Sequence, residues 1–90
     1  LNSLIKDKTY RLVFPDGVET IAILHIIETY PATGMSPDYF FKYVSGDRGL
    51  VDAFSSTAKQ LADAGQSKFE NTFPLPEGLL PRLKSIEEVK

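Results

Sequence analysis

The sequence predicts a small α+β domain: an antiparallel sheet built on an N-terminal hairpin, with one main amphipathic helix packed on it. Two runs rich in β-branched and aromatic residues, 8–14 and 18–29, flank Pro15–Asp16–Gly17. A helically spaced apolar stripe occupies residues 50–64. The composition is that of a globular chain, 42% apolar and 24% charged.

The 90 residues suit one domain with a single core. A domain of this size buries roughly 60–65% of its unfolded surface, so a deep cleft would compete with the core for the same apolar side chains.

In the hairpin, proline can preset the first central turn position, and Gly17 can take a left-handed conformation. Phe14 then faces Val18, Leu12 faces Thr20 and Tyr10 faces Ala22; a two-residue Asp16–Gly17 turn would instead shift this register by one. One face carries Tyr10, Leu12, Phe14, Val18, Ala22, Leu24 and Ile26. Ile21, Ile23 and Ile27 point the other way. A ribbon apolar on both faces is expected to be a central strand or to cross between packed layers, because an exposed edge so apolar would aggregate.

Tyr30 to Met35 reads as a loop. Ser36–Pro37–Asp38 has the chemistry of a helix start: a capping hydroxyl, a proline at the first helical position and an acid near the positive end of the dipole. Residues 38–44 nevertheless suit a third strand, which the hairpin requires; a short helix is the alternative. After the Ser45–Gly49 turn, Val51, Phe54, Ala58 and Leu61 recur at helical spacing. Asp47 is placed to cap this helix and Gly65 to end it, and the helix is expected to lie across one face of the sheet.

Residues 1–73 are expected to form the domain. Residues 74–90 read as a proline-punctuated arm or a short helix from about Leu80 to Val89, packed on the domain or on a partner. Residues 68–73 suit a short strand or an ordered arm.

Ten Lys and Arg oppose twelve Asp and Glu, a net charge of −2 in a dispersed pattern that makes nucleic-acid binding unfavourable. Cysteine is absent, which excludes disulfides and thiolate chemistry. The longest apolar run, Ile21 to Ile27, is too short to span a membrane and nothing resembles a signal peptide. The compartment stays open, with the cytoplasm slightly favoured.

No phosphate-loop or dinucleotide motif is present, and neither a cofactor nor a metal is expected. His25, the only histidine, sits among isoleucines and reads as structural. Ser45–Gly46–Asp47–Arg48–Gly49 is the most plausible polar site. Arg48 is the anion-binding candidate, opposed by the charge of Asp47.

The first functional expectation is a non-enzymatic protein-interaction or assembly module, working with a protein partner or as a homo-oligomer. Its contact candidates are Tyr30, Tyr39, Tyr43, Leu79 and Leu83. One alternative is a small enzyme or anion-binding domain in which Asp47, Arg48 and His25 converge. Another is a single-stranded nucleic-acid binder stacking bases on Tyr39, Phe41 and Tyr43 beside Lys42.

Overall fold

The computed structural model describes residues 4–89. Five strands build one antiparallel sheet: β1 (Thr9–Val13), β2 (Glu19–Tyr30), β3 (Met35–Gly46), β4 (Thr72–Pro76) and β5 (Ser85–Glu88). Their order is β4-β3-β2-β1-β5, a meander whose last strand returns beside the first. One helix, α1 (Gly49–Asp63), interrupts the meander between β3 and β4.

The N-terminal hairpin has the expected register, with Tyr10 opposite Ala22 and Leu12 opposite Thr20. Its turn closes through Gly17 N–H donating to Phe14 O at 2.9 Å and Phe14 N–H donating to Val18 O at 2.9 Å. Gly17 adopts φ +91°, and the Asp16 carboxylate accepts from Val18 N–H at 3.0 Å. Within that turn Val18 is exposed rather than part of the inner face.

The long strand β2 is central, paired with β1 on one side and β3 on the other. Its alternation breaks at His25, where a bulge separates the pairs Leu24–Phe41 and Ile26–Phe40. An extra residue resets which side chains face the core. Ile26 therefore leaves the face of Tyr10, Leu12, Ala22 and Leu24 to pack beside Phe40. Ile27 now stands opposite Tyr39, away from Ile21 and Ile23. The sequence expectation that strict alternation continues to Ile27 fails at this one residue.

β3 begins earlier than expected, so Ser36, Pro37 and Asp38 form strand rather than a helix start. Between the pairs Glu28–Asp38 and Tyr30–Met35 the register shifts again. Pro37 falls in that irregular stretch, where the missing N–H costs no ladder bond. Pairing with β2 overrides the local capping signal.

Phe40 and Phe41 are neighbours in a strand, so they point to opposite faces and feed two clusters. The larger cluster draws Tyr10 and Leu12 from β1, Ala22 and Leu24 from β2, Phe41 from β3, Phe73 and Leu75 from β4, and Ile86 at its margin from β5. The smaller holds Phe40, Ala58 and Phe69, with Ile26 and Leu61 beside them. α1 runs alongside β4 instead of across one face. Its first half (Leu50, Val51, Phe54) packs on the larger cluster and its second half (Ala58, Leu61) on the smaller. The helix thus covers an edge strand whose Pro74 and Pro76 already limit further pairing.

α1 starts after Arg48, the N-cap residue, whose side chain makes no capping bond. Asp47 supports the start from one residue earlier, accepting from Gly49 N–H at 2.8 Å. The helix ends as expected at Gly65, φ +100°, with Gly65 N–H donating to Ala62 O and Gln66 N–H to Leu61 O, the paired bonds of a Schellman stop.

Residues 68–73 divide between a 3₁₀ turn, Ser67–Phe69, and the start of β4. Beyond β4, a 3₁₀ segment, Glu77–Arg82, carries the chain between the two edges of the sheet, and β5 follows. An α-helix over 80–89 does not form. Pro81 lacks the N–H a continuing helix needs, and the open edge of β1 recruits the chain through Lys84 N–H to Val13 O and Val89 N–H to Thr9 O, both 2.8 Å. Residues 74–88 thereby supply part of β4, all of β5 and the buried Leu80.

Thr20 and Asp47 join the hairpin to the helix entrance. Thr20 is fully buried and its hydroxyl donates to Asp47 O at 2.8 Å, while Asp47 N–H donates to Glu19 O at 2.8 Å. Thr20→Val is expected to lower stability by about 1 kcal/mol, with Thr20→Ser losing less, since Asp47 is exposed and water can replace the lost donor. Urea unfolding of the two variants measures the difference.

Candidate functional site

Two surfaces bring polar and apolar side chains together. The first is the outer face of the sheet around β1 and β2. Residues directly opposite one another in neighbouring strands share a face, so the register sets its rows. One row reads Glu87, Arg11, Ile21, Ser45; the next reads Thr9, Ile23, Lys42, Thr72; Val13 stands opposite Glu19 and Ser85. Ile21 and Ile23 occupy its middle, partly exposed and outside both clusters. Arg11 reaches Glu19 at 3.8 Å and Glu87 at 3.7 Å, long contacts between half-exposed groups that contribute little to stability. Its Nε is buried without a hydrogen bond.

The second surface is a cleft of about 620 Å³ between α1 and the segments around Tyr43 and 70–72. From the helix it takes Arg48, Val51, Ser55, Lys59, Ala62 and Asp63. Spacings of three and four put these on one helical stripe, adjacent to the stripe that packs on the core. Glu70, Asn71 and Thr72 close the opposite side. Asn71 makes the left-handed turn into β4 at φ 58°, a conformation asparagine tolerates. The Arg48 guanidinium lies 4.7 Å from the centre of the Tyr43 ring, and Tyr43 Oη donates to Gly46 O at 2.6 Å. Ring and cation are held together at one end of the cleft.

The sequence-predicted residues are distributed as follows. Arg48 and Tyr43 line the cleft. Asp47 lines a separate, shallower depression with Phe14, Val18 and Leu50, and His25, at the β2 bulge, lines neither. Tyr39, Leu79 and Leu83 pack against the larger cluster. Tyr30 Oη donates to Asp38 Oδ2 at 2.9 Å. Burial raises the Tyr30 phenol above its ordinary value, reinforced by that bond and by the charges of Asp38 and Glu28. Burial likewise raises Tyr39, helped by the nearby Glu77. Phe41 is fully buried, while Tyr39 and Tyr43 are partly exposed and pack against the larger cluster.

Sequence reasoning passed over Lys59, Asp63, Glu70 and Asn71. A second helical stripe beside the apolar one was visible at positions 48, 51, 55, 59 and 62. What faces it depends on how β4 returns past the helix.

The fold and these surfaces define the class: a small α+β domain with an antiparallel sheet and one main α-helix packed on it. No helix among the described residues is long and apolar enough to cross a membrane. Comparison with protein-family models, curated proteins and solved structures finds no match to the chain.

Proposed function

We propose that this chain is a non-enzymatic interaction and assembly module whose outer sheet face docks a second copy of itself. The observation that carries this reading is the position of Ile21 and Ile23. They lie in the central strand, belong to neither core cluster and stay partly exposed. An apolar centre with a charged margin is the anatomy of a protein interface. The margin holds Arg11 and Lys42 against Glu19 and Glu87, two charges of each sign. A two-fold interface presents the same patch from both sides, and a patch of balanced charge meets its own copy without net repulsion.

The test is light scattering coupled to size exclusion over a range of protein concentrations. The unmodified chain is expected to form a dimer. Ile23→Glu, which places a charge at the centre of the face, is expected to shift the chain to monomer while leaving its circular dichroism unchanged. A wild-type chain that stays monomeric to millimolar concentration would overturn the reading.

A further inference from the structure

The cleft along α1 carries a second inference, on a surface that adjoins the outer sheet face only at Thr72. We infer that it binds an extended peptide segment of a partner protein, acidic at one end and basic at the other.

The charges are ordered along the groove. Arg48, seated on Tyr43, stands at the N-terminal end of the helix, Lys59 lies towards the other end, Asp63 closes the last turn, and Glu70 lines the facing wall. The helix dipole has the same sense, positive at the Arg48 end and negative at the Asp63 end. Both fields favour a ligand with an anion at the first end and a cation at the second. Among the described residues, Lys59, Asp63 and Glu70 form no ion pair within 4.0 Å, and the Arg48 contact to Asp52 is long at 3.9 Å and solvent-exposed. These charges are open to a ligand.

Length and lining select the ligand class. From Arg48 to Asp63 the helix rises about 22 Å at 1.5 Å per residue. An extended peptide covers that distance in about seven residues. Val51, Ala62 and the Tyr43 ring give it apolar footing, and Ser55 and Asn71 offer hydrogen bonds between the charged ends. A single phosphate is a poor fit, because Arg48 and Lys59 are separated by about 16 Å of helix and cannot clamp one anion. A nucleic-acid strand would meet Asp63 and Glu70 with its own negative charge.

The test is selection of a random peptide display library on the intact chain, followed by fluorescence anisotropy with a synthesised winner. Enriched peptides are expected to carry an acidic and a basic residue about five to seven positions apart. Arg48→Glu and Asp63→Lys are each expected to weaken the chosen peptide by about fivefold or more. The double charge swap should favour a peptide with its charged ends exchanged. Ile23→Glu should bind the peptide normally, which separates this inference from the assembly reading. Absence of enrichment over bare support, winners without charge separation, or binding indifferent to both cleft substitutions would overturn it.

Discussion

Phe41→Ala is expected to lower the free energy of unfolding by about 3–5 kcal/mol, the usual range for deleting a buried phenylalanine. Phe41 has no solvent exposure and joins the central strands to the β4 edge. Its ring meets Tyr10 edge-on at 6.5 Å and stacks on Phe73 at 6.0 Å. Truncation removes both aromatic pairs and leaves a cavity in the larger cluster beside Tyr10 and Phe73. For a domain of this size the whole stability is roughly 5–13 kcal/mol. The loss should lower the melting temperature by roughly 15–30 °C. Thermal and urea unfolding followed by circular dichroism measure it, and a cost below 1 kcal/mol would show that the cluster is not one cooperative core. Phe41→Leu, which refills much of the space, should lose considerably less.

Gly46→Ala should come next, at about 2–4 kcal/mol. Gly46 holds φ +90°, and a β-carbon there would stand 2.5 Å from Glu19 O. The left-handed backbone alone costs an L-residue about 1–2 kcal/mol. The clash adds to it, because Glu19 O is already committed to Asp47 N–H, and Thr20 next to it holds Asp47 O. Relief means separating β2 from β3 where the chain enters α1. Gly34→Ala is the control: its φ is +69° with nothing within 4 Å of the added carbon, so it carries the conformational cost without the clash. Equal losses at the two positions would reject the steric account.

Much of the architecture was legible because it is governed by neighbours in sequence. Pro15–Asp16–Gly17 marks a turn that narrows the hairpin to two registers, and the structure has the one with Tyr10 opposite Ala22. The α1 stripe and its Gly65 stop were equally local. The failures have a common origin. Ser36–Pro37–Asp38 has good capping chemistry, yet β2 offers a full ladder to whatever follows the turn at Gly34, and ladder bonds outweigh a cap. The bulge at His25 leaves no local signal, since isoleucine on either side suits both alternations. Only its pairing with β3 shows where one residue is extra. The candidate sites were less legible still. Arg48 and Tyr43 were singled out separately, five residues apart, and nothing in their spacing said that the cation would sit on the ring.

Local chemistry by itself determined the fold class, the first hairpin and the main helix, because turn conformations and side-chain periodicity act over a few residues. Tertiary structure alone decided that Phe40 and Phe41 serve different clusters, that the last residues return beside β1, and that α1 flanks a charged cleft. Each of these requires the meeting of segments distant in sequence. The free energy that selects among such meetings comes from burial and ladder bonds that exist only once the sheet has assembled.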